Sequence, residues 1–489
     1  MHEHRKKRKS ASLITVLFMT ILVLFAVLFY IQDELKSQVR WQIDLLPFDH
    51  DKYCSPELKE EIDNFKNGSV SYKQMENLLA DLKEFNEKHT LQMNYPAVYI
   101  FSEDGSGNDL KNYHGKKVMR VVIVDEEGRR TEDKNVTVNV RGNSTSAGDK
   151  RPYNLKFSGD RQILDLGKDK KWSLLAECFD PTLIRDALFF KLAEQMGLDY
   201  TPDARFVRVY MDGLYKGCYL LSERTDIAMD RVDIDPFRGE FIFEYEEERE
   251  EDETKYITTA NGWRFAIKDP DEPSDKVFAH MEEVLNRFDA AITSKDYDQL
   301  KDVIDIDSFA KYYLLSELAK PIDFDYSSVK FYLKNGLIHA GPVWDYDISS
   351  GNYDIDFYSI AWYGETAEEK KQNRISYYDL YCDRNPVYAA LLEYEEFRSL
   401  VKEYLTEYGS IIENLYADGG VIDQIVEENR DLFMSNYTPT EAGGAGWQVD
   451  HRYSGLEADR FPTYEENVEY LKTWIKNRYE WLRDSDPWK

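Results

Sequence analysis

The first forty residues constrain this chain more than any other stretch. A basic cluster, "HEHRKKRK", precedes "SASLITVLFMTILVLFAVLFYIQ", Ser10 to Gln32, which is 23 residues without a charge. At about 1.5 Å per residue, a helix of this length spans roughly 34 Å and can cross a bilayer. Because basic residues stay on the cytoplasmic side, we expect a cytoplasmic tail over 1–9, a transmembrane helix over 10–32 and an extracytoplasmic remainder. The alternative is a cleaved signal peptide, which the length of the run and the lack of a small-x-small site disfavour.

The remainder of the chain is strongly acidic. The 489 residues carry a formal net charge of −30, although the N-terminal tail is basic. A surface of this sign repels nucleic acid, so we expect no nucleic-acid partner. Hydrophobic residues make up 42% and charged residues 31%, which favours a folded chain with a sizeable core. The four cysteines lack metal-ligand spacing, and they predict buried thiols with at most one bridge.

The spacing of apolar residues divides the rest of the chain. Residues 33–94 show helical spacing and predict a juxtamembrane helical segment. Residues 95–485 form the main domain, in which strand-like alternation dominates the first part and helical spacing the second. The sequence therefore predicts an α+β fold with a sheet-rich first lobe and a helix-rich second lobe, and candidate functional residues near their junction.

Turn and cap residues predict several elements within this domain. "DPTLIRDALFFKLAEQMG" predicts a helix over Asp180 to Gly197, capped by Asp180 with Pro181 at its first position. Hairpins are expected to turn at Asp212-Gly213 and at Asn335-Gly336, because Asp-Gly and Asn-Gly favour two-residue turns.

The segment "RGNSTS" is a candidate for binding phosphate. Its turn through Gly142 can direct backbone N–H groups and small polar side chains at phosphate oxygens, and Arg141 adds positive charge. Arg141, Asn143 and Ser144 are the candidate residues, and an ordinary β-turn is the alternative. In the following "KRPYNLKF", Asn154 and Lys156 share one face of a strand. A lysine facing inward there would suit a nucleotide phosphate, whereas a solvent-facing lysine is the alternative.

Two further segments carry closely spaced aspartates. In "PIDFD", Asp323 and Asp325 lie in a predicted loop, where a carboxylate can act as a general base or simply form a turn. In "GPVWDYDISSGN", Asp345 and Asp347 would project to one side of an extended strand, while Trp344, Tyr346 and Ile348 take the other. Two carboxylates this close repel each other, and hard oxygen ligands suit Mg²⁺ or Mn²⁺. We therefore expect a metal site at Asp345 and Asp347.

These segments occur in an order that resembles a known family. "RGNSTS", "KRPYNLKF", "DPTLIRDALFFKLA", "VYMDGLYKGCYLLSE", "GWRFAIKDPD", "ELAKPID" with "SSVKFY", "GPVWDYDISSGN" and "YLKTWIKNRYEWL" together look like the CotH family of spore-coat and cell-surface kinases. The resemblance covers roughly Tyr95 to Leu482. It is specific because eight segments appear in one order.

The resemblance implies an atypical bilobal kinase-like fold that binds ATP and a divalent metal, Mg²⁺ or Mn²⁺, and phosphorylates protein serine at the cell surface. By the same resemblance, Asp323 would orient the substrate hydroxyl, and Asp345 or Asp347 would take the metal-binding role of a kinase DFG aspartate. Lys156 is implied as the phosphate-binding lysine, and Glu223 of "YLLSE" as a further nucleotide-site residue. The chain departs from the family pattern at Pro321, where an asparagine is expected.

Other functions are compatible with the same residues. A kinase fold without activity could serve as a surface binding or scaffolding protein, which the scarcity of ATP outside a membrane favours. A carbohydrate-active enzyme could use Asp323 and Asp345 as an acid pair, but no aromatic platform supports it. The acidic run Phe243–Tyr256 predicts a solvated loop, and a minor alternative turns Glu244 toward the junction of the lobes.

Overall fold

The computed structural model describes residues 2–46, 55–68, 70–89, 93–110, 115–142, 144–246, 255–352, 376–450 and 461–489. Its first element, α1 (His2–Asp44), runs without a break through the uncharged stretch. Among the described residues, one helical stretch is long and apolar enough to cross a membrane, Phe18–Asp44. A signal sequence has the same properties, so this stretch is compatible with a membrane anchor or with a signal peptide.

The end of α1 contacts two different parts of the protein. Val39 and Ile43 pack with α2 (Pro56–Lys66) and α3 (Tyr72–His89) around a small separate core. On another face of α1, the ring of Trp41 lies 4.8 Å from the guanidinium of Arg120 and 4.4 Å from that of Arg130. Asp44 also forms an ion pair with Arg120 at 2.9 Å. The helix is therefore attached directly to the sheet that follows.

The sheet-rich first lobe that the sequence predicts is a closed barrel. Its strands follow the order β1-β2-β3-β4-β5-β7-β6, and β1 and β6 pair in parallel to close it. Alternate valines of the third strand, Val136, Val138 and Val140, are buried in the core. The strands are β1 (Ala97–Phe101), β2 (Lys116–Val124), β3 (Arg130–Val140), β4 (Tyr153–Arg161), β5 (Asp169–Leu175), β6 (Ala204–Met211) and β7 (Leu214–Glu223).

A second, five-stranded antiparallel sheet follows the barrel, in the order β12-β11-β8-β10-β9. Its central strands contribute Phe243, Phe265 and Phe331 to an aromatic cluster with Phe288, in which neighbouring ring centroids lie 5.3–6.4 Å apart. The strands are β8 (Ile242–Tyr245), β9 (Tyr256–Thr258), β10 (Arg264–Asp269), β11 (Val329–Lys334) and β12 (Leu337–Ala340).

The helices that follow α3 share one core with the two sheets. One of these helices lies between β5 and β6 in the chain. The others lie between β10 and β11 or after β12. They are α4 (Arg185–Gln195), α5 (Asp275–Thr293), α6 (Tyr297–Lys301), α7 (Ile306–Ala319), α8 (Pro386–Leu391), α9 (Glu395–Glu407), α10 (Gly409–Tyr416), α11 (Val421–Tyr437) and α12 (Tyr464–Ser485). The last helix begins with a capping box formed by Thr463 and Glu466.

A buried ion pair joins α7 to α12. Glu317 and Arg478 are fully buried and bonded to each other. The carboxylate of Glu317 also accepts hydrogen bonds from the backbone N–H groups of Tyr381, at 2.7 Å, and Cys382, at 2.9 Å. Arg478 donates to the carbonyl oxygen of Asp379 at 2.8 Å. The pair therefore holds the loop before α8 against both helices.

The structure confirms the mixed α+β class, the sheet-rich and helix-rich parts, and both predicted hairpin turns. The helix predicted from Asp180 begins later, at Arg185, because Leu183 has a φ of 64° and interrupts the helical backbone. Asp180 instead accepts hydrogen bonds from the N–H groups of Ile184 and Arg185. Of the cysteines, Cys54 lies outside the described residues, and the other three are buried and free.

Candidate functional site

A cleft of about 400 Å³ opens between the barrel, the second sheet and the turn after α7. Its walls come from several well-separated regions of the chain, which explains why no single motif defines it. The lining residues that the following paragraphs use are Arg141, Ser144, Asn154, Glu177, Asp186, Arg224, Thr225, Asp226, Glu244, Lys268, Asp323, Ser328, Lys330, Trp344, Asp345, Asp347 and Ile348.

Asp345 and Asp347 both line this cleft, but the backbone reaches it differently from the prediction. The strand β12 ends at Ala340, and the residues that follow are irregular. Asp345 has a φ of 69°, a left-handed conformation that a strand does not contain. Trp344 and Ile348 consequently line the cleft as well, instead of facing away from it. The two carboxylates meet in the cleft because of this local bend rather than because of strand alternation.

The floor of the cleft is acidic. Asp186 of α4 and Glu177, which follows β5, join Asp345 and Asp347 there. The carboxylate of Asp186 accepts a hydrogen bond from the Tyr346 N–H at 2.6 Å. Burial, followed by repulsion among these carboxylates, raises the pKa of Asp186, Asp347 and Glu177 above the usual range. Such an arrangement attracts cations or protons.

The opposite wall of the cleft is basic. Lys330 of β11 is only 8% exposed, and its ammonium donates to the Thr225 hydroxyl at 2.7 Å. The ring of Trp344 lies close to two cations. The Lys330 ammonium is 4.7 Å from the ring centroid, and the Arg141 guanidinium is 5.0 Å from it. Burial lowers the pKa of Lys330 to about 8. Lys268 lies on the same wall, paired with Glu246 at 3.1 Å.

Asp323 occupies a 3-10 turn, Ile322–Asp325, between α7 and β11, and it lines the cleft. The turn is fixed from both sides: the Ile322 N–H donates to the Ile348 carbonyl at 3.0 Å, and the Tyr381 hydroxyl donates to the Ile322 carbonyl at 2.7 Å. Asn385 further donates to the Phe324 carbonyl at 3.0 Å. The turn is therefore held by neighbouring elements, although Pro321 replaces the expected asparagine.

Two of the predicted residues, Lys156 and Glu223, lie away from the cleft. Lys156 lies on the same face of β4 as Asn154, but two residues farther along, where it is exposed and outside the cleft lining. Glu223 is buried away from the cleft, because its carboxylate binds Arg231 and the Gly167 N–H, each at 2.8 Å. Asn143 lies outside the described residues. The structure thus brings Arg141, Ser144, Asp323, Asp345 and Asp347 together, but not Lys156 or Glu223.

The sequence reasoning missed Lys330, Glu177 and Asp186. A signal was present for two of them: Lys330 interrupts the buried run "VKFYL", and Glu177 interrupts "LLAECFD". A charged residue in an otherwise apolar run is rarely buried without a partner or a function. Glu244, considered only as a minor alternative, does line the cleft.

Comparison with known proteins shows which family this chain belongs to. The family model described as "CotH kinase protein" matches residues 138–482, which is more than half of the chain. This chain belongs to the CotH kinase family. Membership implies a kinase-like fold and, in general terms, the use of ATP and a divalent metal by CotH kinases. No match was found among curated proteins.

The cleft of this CotH kinase family member carries carboxylates, which are ligands of the kind that a divalent metal requires. Among the described residues, no group of three or more His, Cys, Asp and Glu side chains is arranged so that it could hold a metal ion. Both carboxylate oxygens of Glu177 are nevertheless buried without a hydrogen-bond partner among the described residues. Carboxylates crowded in this way, one of them unpaired, fit a cation that keeps several water ligands, as Mg²⁺ does.

Proposed function

We propose that this chain is a membrane-anchored, extracytoplasmic kinase that transfers the γ-phosphoryl group of ATP to serine in a protein substrate, with Mg²⁺ or Mn²⁺. The observation that carries the proposal is the cleft itself, where a basic wall faces an acidic floor. Phosphoryl transfer depends mainly on positioning and on neutralising phosphate charge, and this arrangement provides both. The N-terminal apolar helix supports the membrane location, with its basic end in the cytoplasm.

The basic wall would bind the phosphates. Arg141 can form paired hydrogen bonds with phosphate oxygens, and Ser144 lies in the same turn. Lys330 takes the place that the sequence resemblance gave to Lys156, because it is the buried lysine of the cleft. Its contact with the Trp344 ring keeps the ammonium directed across the cleft.

Asp345 and Asp347 would hold the divalent metal, which supplies positive charge to the phosphate oxygens when bound. The Ser328 hydroxyl donates to Asp345 at 2.8 Å and so fixes one of these carboxylates. Asp323 lies on the same cleft and would accept the proton of the serine hydroxyl as that hydroxyl attacks phosphorus. The turn that carries Asp323 is fixed, so the carboxylate is positioned before the substrate arrives.

A transfer assay tests this function directly. Detergent-solubilised full chain is incubated with γ-labelled ATP, Mg²⁺ or Mn²⁺ and a serine-containing protein acceptor. We expect label in protein with the wild type and at least about a hundredfold less with Asp345→Ala, because an electrostatic group at the phosphates is lost. The exposed acid Asp298 of α6 gives a matched control, Asp298→Ala, which should label like the wild type. Equal labelling by all three proteins would contradict the role of Asp345 in transfer, and nucleotide binding without transfer would favour the surface-binding alternative.

The pH dependence of the reaction tests Lys330. With its pKa near 8, Lys330 is a cation below that pH and becomes neutral above it. From pH 7 to pH 9 the charged fraction falls about tenfold, so kcat/KM for ATP should fall by up to about tenfold. Lys330→Arg should remove this step because arginine stays charged. Lys156→Arg, outside the cleft, should keep it, and an identical pH profile for both variants would contradict the role of Lys330.

A further inference from the structure

The helices α2 and α3 form a hairpin beside the end of α1. They pack with the last turns of α1 around their small separate core. Lys83 of α3 donates to the Gln42 side chain of α1 at 3.2 Å. The groove between these two helices extends from Lys83 and Gln42 to Leu35 on α1 and Tyr72 on α3. α3 therefore runs in the same direction as α1, and its first residue, Tyr72, lies on the side of Leu35.

The turn between α2 and α3 is consequently at the membrane end of the hairpin. The uncharged run ends at Gln32, and Leu35 is three residues beyond it, which is about 4.5 Å along a helix. Lipid headgroups occupy roughly 5–7 Å on each side of the hydrocarbon core. With α1 across the bilayer, the start of α3 therefore lies within the headgroup layer. This placement rests on the membrane location in the proposed function and not on phosphoryl transfer.

Residues 66–68 and 70–73, the α2–α3 turn, have side chains suited to a lipid surface. Lys66 and Lys73 are exposed at its two ends. No acid stands between Asp63 and Glu76, although 92 of the 489 residues are acids. Tyr72 is half-buried, and tyrosine is enriched where proteins meet the membrane–water interface. The turn is therefore locally basic in an acidic protein, and lysines at a membrane surface are attracted to lipid phosphates.

We propose that the α2–α3 turn is a lipid-contact surface, on which Lys66 and Lys73 bind headgroup phosphates and Tyr72 lies among the headgroups. On α1 just beyond the uncharged run, the acids Asp33 and Glu34 precede a single lysine, so α1 alone offers the phosphates no net attraction. The turn supplies it. Because the turn and α1 meet the membrane at two separate points, this contact would also resist tilting of the hairpin.

Depth measurement by EPR tests this contact in the full chain. A nitroxide is attached to one cysteine at a time on a Cys54→Ser background, because Cys178, Cys218 and Cys382 are buried. The protein is reconstituted in vesicles of phosphatidylcholine and phosphatidylglycerol. Collisions of the label with oxygen, which enters lipid, are compared with collisions with a water-soluble nickel chelate.

Three exposed positions report three depths. Asn67→Cys labels the turn, Tyr30→Cys labels the uncharged run, and Glu87→Cys labels the far end of α3, about 22 Å from Tyr72. We expect nickel to reach the turn label severalfold less than the Glu87→Cys label. The Tyr30→Cys label should be reached mainly by oxygen.

Charge reversal in the turn provides a second test. Lys73→Glu places an acid against the phosphates, so the Asn67→Cys label should become as accessible to nickel as the Glu87→Cys label. Lys88→Glu is the matched control, at the other end of the same helix, and should leave the turn label protected. Both lysines are exposed, so the melting temperature of either variant in detergent should stay near that of the wild type.

Failure of the lipid contact can be told from failure of the proposed function. A turn label as accessible to nickel as the Glu87→Cys label, with the Tyr30→Cys label in lipid, would overturn the contact and leave the anchor in place. Protection of the turn that survives Lys73→Glu would overturn its binding of headgroup phosphates. Nickel access to all three labels would overturn the contact together with the membrane location. Absence of phosphoryl transfer while the turn is protected would count against the kinase alone.

Discussion

Asp323→Asn is expected to reduce phosphoryl transfer by about 10²–10⁴-fold, the usual contribution of a general base. Asparagine has nearly the same shape but cannot accept the proton of the serine hydroxyl. The turn should persist, since the backbone of Ile322 is bonded to the Ile348 carbonyl and to the Tyr381 hydroxyl, and both bonds remain in the variant. ATP binding, measured by calorimetry, should therefore change little while the rate of transfer collapses.

The same turn provides the control for this variant. Asp325 is two residues farther along and does not line the cleft. The rate of transfer by Asp325→Asn should stay within about threefold of the wild-type rate, because this change leaves the reacting groups in place. Similar losses in both variants would show that the turn is sensitive to any substitution, and the assignment of Asp323 as the base would then fail.

Arg478→Met is expected to lower the free energy of unfolding by about 3–5 kcal/mol, the effect of removing one partner from a buried ion pair. The substitution leaves the Glu317 carboxylate buried and unpaired between α7 and α12. It also removes the donor to the carbonyl oxygens of Tyr377 and Asp379. Denaturant unfolding followed by tryptophan fluorescence should show a shifted midpoint.

An exposed pair of the same kind gives the comparison. Arg430 of α11 and Glu465 of α12 are bonded, but both side chains are about half exposed. Arg430→Met should change the free energy of unfolding by no more than about 1 kcal/mol, because solvent already screens that pair. If the two arginine variants were equally destabilised, burial of the Arg478–Glu317 pair would not explain the loss.

Local signals in the sequence predicted local structure well. Asp212-Gly213 and Asn335-Gly336 form the expected hairpins because the turn chemistry lies within the two residues. Closure of the barrel was not predictable in the same way, since β1 pairs with β6 across more than a hundred residues. The start of α4 was missed because Leu183 adopts a left-handed conformation that tertiary packing imposes.

The residues of the candidate site likewise divide into those with a local signal in the sequence and those that only the fold brings together. Asp345 and Asp347 could be found because two acids stand close together in the chain, although the reason given for their common direction was not the one the structure shows. Lys330, Glu177 and Asp186 belong to three different elements, and only folding brings them to one cleft. The alternation of residues along β4 places Lys156 on the same face of the strand as Asn154. Alternation does not show how far along the strand the cleft extends, and Lys156 lies beyond its end.

The docking of α1 on the barrel has a consequence for encounter with substrate. Trp41 lies nine residues beyond the end of the uncharged run, which is about 14 Å along a helix. With the helix anchored in a bilayer as proposed, the contacts of Trp41 and Asp44 leave no flexible tether between lipid and barrel. The cleft would then stay close to the membrane surface instead of exploring the distance that a flexible linker allows. Acceptors carried on the same surface would meet it by two-dimensional diffusion at high effective concentration, whereas freely dissolved proteins would have to approach that surface first.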